Sequence, residues 1–342
     1  MFRNVIDRRR LLGLAGAGGS LLVMPHLARA QAEEITIQIW GTTWTGSMRR
    51  VSQMFEQKTG IKVNVSTQAN AAEGLVRLQS MRQAPNIDVW FTTNSVADRV
   101  KGDAQLFKTL DYTKLPAAAA IEPGARNSGW VGLYFYPLGI VWRSDMLADP
   151  ITSWKELWEP RFAQKLCVPS MNMFQARMLL VAATINGGGI SNVEPGFEAL
   201  KRLKPNVVAW YSSDNTARQG LAQGEYPILI APPAALKRMI DSNVPARMIS
   251  PPPAPMMYDV MMQVNTAKAE MSAAFIDFCL GQEAQEIIAQ GQGMAPVHPN
   301  AKPLDEIAQA VPASSDRVTY DDSIINANIA AWNERFNREI AS

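Results

Sequence analysis

The side chains best suited to chemistry in this sequence stand where short apolar runs end. One run ends at Trp40 and is followed by Thr43 and Trp44, and a second run ends at Thr93 and Asn94. An indole ring offers apolar area and a face that attracts ammonium groups, while hydroxyls and amides bind polar atoms without a buried charge. These residue types in this position predict a surface that binds a small molecule.

A solute with an ammonium group needs an acid beside it, because burying an ammonium without one is costly. Asp259, directly after the aromatic Tyr258, is the acid that the family resemblance given below implies for this role. An alternative is that Asp259 only accepts a backbone N–H near a hinge. The complete set of predicted ligand-binding residues is Trp40, Thr43, Trp44, Thr93, Asn94, Tyr136, Asn172, Trp210, Ser213, Tyr258 and Asp259.

Catalysis is not expected from this chain. His298 is the only histidine after the first thirty residues, and a serine–histidine triad or a multi-histidine metal site needs partners that the sequence lacks. The glycine-rich stretch in the first thirty residues is no dinucleotide fingerprint, because it lies in a predicted export signal. We therefore predict a protein with no catalytic residues, no metal site and no cofactor.

The first thirty residues have the pattern of a cleaved export signal. A basic stretch over 8–10 precedes an apolar run over 11–24, and Ala28 and Ala30 form an A-x-A cleavage site. The apolar run is shorter than the ~20 residues that a spanning helix needs. The paired arginines predict the twin-arginine route, a mature chain that begins at Gln31, and a periplasmic location.

Removal of residues 1–30 changes the charge of the chain. The full chain has 33 basic and 31 acidic residues, and the signal contains five basic residues and one acidic residue, which leaves 28 against 30. A net charge of −2 provides no basic surface for nucleic acid. The two cysteines, Cys167 and Cys279, stand in apolar stretches, which favours buried free thiols over a disulfide.

Strand and helix patterns alternate along the mature chain. Residues 35–40, 61–67 and 86–94 have strand patterns, and helical patterns cover 47–60 and 71–83 between them. This β-α-β-α-β order predicts a mostly parallel sheet, whose ligands bind beyond the carboxyl ends of the strands. Later in the chain we predict one continuous helix over 271–290 and an amphipathic helix over 322–340.

Several motifs in a fixed order carry a resemblance to a known family. They are FEQKTGIKV, IDVW, PLGIVWRSD, SWKELWEPRF, LAQGEYPILI and AAFIDFCLGQEAQ. In this order the chain resembles the type II periplasmic solute-binding proteins of ABC importers, and among them the cluster of spermidine/putrescine and ferric-iron binders. The resemblance implies an α/β fold with two lobes, mixed and mostly parallel sheets flanked by helices, and a ligand cleft at the hinge. We expect lobe 1 over 31–137 and 259–292, and lobe 2 over 138–258 and 293–342.

The resemblance also implies a function and partners. A monomer would capture a small solute between its lobes and deliver it to an ABC permease in the inner membrane. Polyamine binders carry acids where this chain has SMNMFQ over 170–175, so a small amine or a zwitterion fits better than a dication. A carboxylate or phosphonate bound near Ser213 is the alternative, and ferric iron is a further one, although the sequence has no Tyr-Tyr pair.

Overall fold

The computed structural model describes residues 33–41 and 44–342. The predicted export signal over 1–30, its cleavage site and the candidate residue Thr43 lie outside the described residues. The strands are β1 (Glu34–Trp40), β2 (Lys62–Gln68), β3 (Val89–Thr93), β4 (Val131–Pro137), β5 (Gly139–Arg143), β6 (Leu166–Pro169), β7 (Val207–Tyr211), β8 (Ile228–Ala231), β9 (Ala246–Ile249), β10 (Ala254–Gln263), β11 (Ala295–Pro296) and β12 (Arg317–Val318).

These strands form two mixed sheets. The larger sheet has the order β11-β4-β10-β3-β1-β2, and β12 pairs with β10. β1 runs parallel to β2 and β3, which confirms the predicted β-α-β-α-β unit, whereas β10 runs antiparallel to β3 and β4. The smaller sheet has the order β7-β6-β8-β5-β9, with β6 parallel to its neighbours and β5 antiparallel to β8 and β9.

Helices flank both sheets. They are α1 (Trp44–Thr59), α2 (Ala71–Ser80), α3 (Asn94–Val100), α4 (Arg177–Ile185), α5 (Glu194–Leu203), α6 (Asp214–Gln223), α7 (Ala234–Asp241), α8 (Ala269–Leu280), α9 (Gln282–Gln292), α10 (Asp305–Ala310) and α11 (Asp322–Phe336). Together with the two sheets they confirm the predicted α/β fold class. Among the helices of the described residues, none is both long and apolar enough to cross a membrane.

Two of the predicted helices differ from the observed ones. α1 begins at Trp44 and not near Ser47, so this indole projects from the first helical turn immediately after β1. The predicted continuous helix over 271–290 is wrong, because Gly281 is extended (φ −66°, ψ 149°) and separates α8 from α9. Glycine is a poor helix former, so a break at this position costs little.

The chain crosses between the sheets at two short segments. Leu138 alone separates β4 from β5, and the return lies between Ile249 and Ala254. The predicted return at Tyr258 falls within β10, and β11 pairs with β4 of the larger sheet although residues 293–342 are assigned to lobe 2. Sheet membership therefore places the return crossing before β10, and the division into lobes otherwise stays a prediction.

The core contains the residues that the sequence pattern assigns to packing. Trp90 and Trp154 are fully buried, the first in β3 and the second in a short 3₁₀ helix. Cys167 and Cys279 are both buried free thiols, as predicted. The apolar side chains therefore pack within the two sheets and against their helices. The residues at the strand ends are available for a binding site.

Candidate functional site

Asp259 lies in the middle of the larger sheet with two tyrosines as its partners. It pairs with Thr93 of β3 on one side and with Tyr134 of β4 on the other, so the three side chains share a face of the sheet. The hydroxyl of Tyr134 donates to Oδ2 of Asp259, and the hydroxyl of Tyr136 donates to Oδ1 at 3.1 Å. These partners rule out the alternative in which Asp259 accepts a backbone N–H.

Burial dominates the electrostatics of this group. Asp259 is 5% exposed, and burial raises its pKa to about 7 although the two tyrosine hydrogen bonds act in the opposite direction. Burial and the nearby carboxylate raise the pKa of Tyr134 and Tyr136 well above the usual value. In the part of the chain that the structure describes, no cationic side chain contacts Asp259.

Two tryptophan rings lie next to the tyrosines that bind this carboxylate. The ring of Trp44 stacks on Tyr134 with centroids 5.1 Å apart, and its centroid lies 5.0 Å from that of Trp40. Both tryptophans are half-buried, and each belongs to the junction between β1 and α1. The Oγ1 atom of Thr93 is buried without a hydrogen-bond partner on the same strand pair. A ligand here would meet aromatic faces, one carboxylate and a free hydroxyl.

Tyr258 does not belong to this group. Its hydroxyl donates to Oε1 of Glu122 at 2.9 Å, and its ring packs against Phe135 with centroids 6.1 Å apart. Successive side chains of a strand point to opposite faces, so Tyr258 and Asp259 face opposite sides of the sheet. Tyr134 takes the place that the sequence analysis gives to Tyr258.

Asn94 has a structural partner on each side. Its Nδ2 donates to Oδ2 of Asp322 at 2.5 Å, and its Oδ1 accepts from the backbone N–H of Tyr258 at 3.2 Å. Asp322 in turn accepts from the guanidinium of Arg177 at 2.7 Å, and both of these charged side chains are buried. These hydrogen bonds connect α4, which follows strand β6 of the smaller sheet, with α3 and α11.

Three left-handed residues precede Arg177. Phe174, Gln175 and Ala176 have φ values of 50°, 49° and 57°, and none of them is glycine. Left-handed conformations cost non-glycine residues of order 1–2 kcal/mol each, so neighbouring contacts must hold this segment. It is the segment where polyamine binders are expected to carry acids, and Asn172 at its start is exposed to solvent.

The remaining candidates lie apart from Asp259. The ring of Trp210 packs edge-on against Phe336 with centroids 5.1 Å apart, which is a packing contact. Ser213 is the N-cap of α6, and its Oγ accepts from the backbone N–H of Thr216 at 3.4 Å. The structure thus brings together Trp40, Trp44, Thr93, Tyr136 and Asp259, and places Asn172, Trp210, Ser213 and Tyr258 elsewhere.

A cavity of about 170 Å³ opens beside Trp44. Its walls come from α1, the last turn of α9 and Met294 on the side of the larger sheet, and from α6 and α7 on the side of the smaller sheet. Trp44 connects the cavity with the group around Asp259, because its side chain lines the cavity and its ring stacks on Tyr134.

The sequence analysis missed three residues of this region. Tyr134 stands two positions before Tyr136 in a strand pattern, and that spacing alone indicates a shared face. Arg218 stands four positions after Asp214, a spacing that indicates an ion pair on one helix. Arg177 has no such signal, because its partner Asp322 is distant in sequence. Among the described residues, no three or more His, Cys, Asp or Glu side chains are grouped to hold a metal ion.

The fold is that of the two-lobed periplasmic solute-binding proteins. Residues 51–313 match the family described as bacterial extracellular solute-binding protein. The protein therefore belongs to this family of solute-binding proteins.

Relatives of known name support this assignment. The spermidine/putrescine-binding periplasmic protein 1 of Haemophilus influenzae is 26% identical over 68% of this chain and 67% of the relative. The spermidine/putrescine-binding periplasmic protein of Salmonella typhimurium is 26% identical over 48% of this chain, which spans about half (49%) of that relative. The structure of the spermidine/putrescine ABC transporter substrate-binding protein PotD of Streptococcus pneumoniae has a TM-score of 0.74 and 18% identity, covering 88% of this chain and 99% of that protein. The last likeness concerns the fold alone.

Proposed function

We propose that this protein is the solute-capturing component of an ABC importer and that it recognises an ammonium group of its solute through Asp259. The observation that carries the proposal is a buried carboxylate bonded to two neutral tyrosine hydroxyls, one of which, Tyr134, has the Trp44 ring stacked on it. Burying a carboxylate without a cation is unfavourable, and a ligand ammonium would remove that cost. The indole and phenol rings would add about 0.5–2 kcal/mol for each well-placed cation–π contact.

The number of acids favours a solute with one ammonium group over a long dication. The relatives are named for spermidine and putrescine, which carry several ammonium groups. In this chain the segment over 170–175 has no acid, and Asp214 is paired with Arg218. The described part of the cleft therefore has no second buried carboxylate without a cationic partner. We propose a small amine or a zwitterion as the solute.

Closure of the cleft would couple capture to transport. A ligand that contacts both lobes favours the closed form by its differential affinity for that form. We propose that a permease in the inner membrane recognises the closed monomer. Solution scattering that shows the same radius of gyration with and without a saturating ligand would contradict closure.

Export to the periplasm is part of the proposal. The relatives are periplasmic by name, and the first thirty residues have the export pattern described above. We propose cleavage after Ala30 and the twin-arginine route. Replacing the arginines over 8–10 by lysine should block export, and undiminished export of a mature chain would indicate the general route instead.

A thermal-shift screen of the mature protein tests the function. Polyamines, monoamines, amino acids, betaines, carboxylates and phosphonates are added one at a time, and unfolding is followed by heating. A ligand at about 100 times its Kd stabilises the native state by ~2.7 kcal/mol, which is readily visible. We expect amine-bearing compounds to give the largest shifts.

Two tryptophan variants connect the shift with the site. Trp44→Leu should reduce the shift of an amine ligand, because it removes the ring above Tyr134. Trp210→Leu is the matched control, because it removes a packing contact with Phe336 and should leave affinity unchanged after correction for its stability. The proposal is wrong if no amine-bearing compound shifts the unfolding temperature, or if both variants lose affinity equally.

Ferric iron is a second candidate because of one observation. Two tyrosine hydroxyls and a carboxylate are hard oxygen donors, and Tyr134, Tyr136 and Asp259 bring them together. Burial raises the pKa of both hydroxyls, which opposes the phenolate that iron would need. Titration with ferric citrate tests this candidate, since a tyrosinate–iron complex adds a charge-transfer band at visible wavelengths and the absence of a new band over that of ferric citrate would eliminate it.

A further inference from the structure

The cavity beside Trp44 differs in charge from the group around Asp259. Three cationic residues, Arg218, Lys237 and Arg238, line it together with the carboxylate of Asp241. Lys237 is already neutralised, because its Nζ lies 2.7 and 2.8 Å from the two oxygens of Asp241. The guanidinium groups of Arg218 and Arg238 therefore give this cavity a positive charge.

Arg218 is a partly buried cation with incomplete partners, and its side chain is 18% exposed. One terminal nitrogen pairs with Asp214 one helical turn earlier, but its Nε is buried without any hydrogen-bond partner. Burial lowers the pKa of Arg218 to about 10, and the nearby charge of Arg238 acts in the same direction. An anion in the cavity would stabilise the two positive charges of Arg218 and Arg238 and could accept a hydrogen bond from Nε of Arg218.

Arg238 supplies a second guanidinium that is free to bind. In the part of the chain that the structure describes, its side chain makes no ion pair or hydrogen bond. It lies on α7 next to Lys237, and Gly293 approaches this helix from the other side of the cavity. A Cβ atom at Gly293 would lie 2.5 Å from the Cβ of Lys237, so the glycine permits close contact between the two sides.

We propose that Arg218 and Arg238 bind a carboxylate of the solute in this cavity, so that the solute is an amino acid and not a diamine. This inference rests on the proposed function, because it assigns the ammonium of the same solute to Asp259. Guanidinium groups bind carboxylates through two parallel hydrogen bonds, which fixes the orientation of the ligand. Trp44 lies between the two ends, with its ring lining the cavity and stacked on Tyr134.

A diamine would suit the cavity poorly. Its second ammonium would face two guanidinium groups, and the one carboxylate in the lining is paired with Lys237. Like charges within a few ångströms are unfavourable wherever water is excluded. The Asp259 group would bind the ammonium of either an amino acid or a polyamine. The cavity distinguishes the two, because it favours a carboxylate over a second ammonium.

The test compares three matched ligand series by calorimetry on the mature protein at about pH 8. They are ω-amino acids from glycine to ε-aminocaproate, diamines from ethylenediamine to cadaverine, and alkanoates from acetate to caproate. At one chain length we expect the amino acid to bind at least ~30-fold more tightly than the diamine of equal length. The length with the highest affinity also measures the distance between the two subsites.

Three variants assign the preference to residues. Arg238→Met carries the test, because an exposed arginine without partners can be replaced without loss of folding, and Arg218→Met supports it. Each should weaken the preferred amino acid by roughly 10–100-fold. Each should also raise diamine affinity, because it removes a like charge that faces the second ammonium. Arg247→Met is the matched control, because Arg247 is an exposed arginine on β9 that does not line this cavity, and we expect it to change affinity by less than ~3-fold.

Each outcome separates this inference from the proposed function. A diamine that binds more tightly than every amino acid, and no more tightly to Arg238→Met than to the original protein, would overturn the carboxylate subsite and leave amine capture in place. Binding of alkanoates alone, lost in Arg238→Met, would support the subsite and overturn the role of Asp259. Binding of none of the three series would overturn both.

Discussion

Asp259→Asn is expected to weaken binding of an amine-bearing solute by at least ~30-fold at about pH 8. The substitution keeps the shape of the side chain and removes its charge, so the ammonium loses a charge-assisted hydrogen bond in a site that excludes water. Tyr134 can still donate to the remaining amide oxygen, which keeps the local geometry. Calorimetric titration of the ligand found in the screen measures the loss.

The same substitution should make the unliganded protein more stable at this pH. Burial raises the pKa of Asp259 to about 7, so between pH ~4 and ~7 the folded chain binds a proton that the unfolded chain has lost. The contribution of Asp259 to the free energy of unfolding therefore falls as pH rises through this window. The neutral amide of the Asp259→Asn variant would remove this cost, and after loss of one good tyrosine bond we expect a net gain of about 1–3 kcal/mol.

Asp88→Asn is the control for this pair of effects. Asp88 is another buried aspartate near the larger sheet, but it accepts from the backbone N–H of Thr36 and the hydroxyl of Thr266. We expect this control to lose stability and to keep its affinity. An Asp259→Asn variant that is less stable at high pH and binds the amine normally would show that Asp259 only supports the fold.

Arg177→Met is expected to lower the free energy of unfolding by about 3–5 kcal/mol. The guanidinium is 1% exposed and donates to Asp322 at 2.7 Å, with the ring of Tyr320 5.5 Å away. Methionine would leave the carboxylate of Asp322 buried with Asn94 as its remaining partner. Denaturation by urea, followed by circular dichroism, measures the change.

The double variant Arg177→Met/Asp322→Asn tests the cause of that loss. It removes the uncompensated charge and should recover at least half of the lost stability, since replacing both members of a buried pair costs less than replacing one. If the single variant is as stable as the original protein, Asp322 has another source of compensation. If the double variant is no better than the single one, the loss comes from packing around the methionine.

Local patterns in the sequence are sufficient to predict most of the fold. The β-α-β-α-β unit, the buried Trp90 and the amphipathic helix at the C-terminus follow from periodicity, which a single strand or helix carries in its own residues. The break at Gly281 does not follow from periodicity, because the apolar pattern continues across it. The predicted return crossing lies too late in the chain, because β10 is apolar along most of its length and gives no sign of which sheet it joins.

The site is predictable only in part, for a physical reason. Trp44 and Thr93 stand at strand ends, and parallel strands bring their carboxyl ends together without further information. Asp259 and its partners Tyr134 and Tyr136 come together only because β10 lies between β3 and β4. The register of these strand pairs cannot be predicted from the sequence of one strand alone. Arg218 and Arg238 become neighbours only through the packing of α6 against α7.

The release of protons on binding is the most direct measurement of the central claim, that the solute ammonium binds the carboxylate of Asp259. With a pKa of about 7 the unliganded carboxyl is largely protonated at about pH 6.5, and an ammonium beside it would lower its pKa and expel the proton. Calorimetry in two buffers with different ionisation enthalpies should give a release on the order of half a proton per ligand, and none for Asp259→Asn. Amine binding with no proton release, or with the same release from the variant, would contradict the assignment of Asp259 to the ammonium.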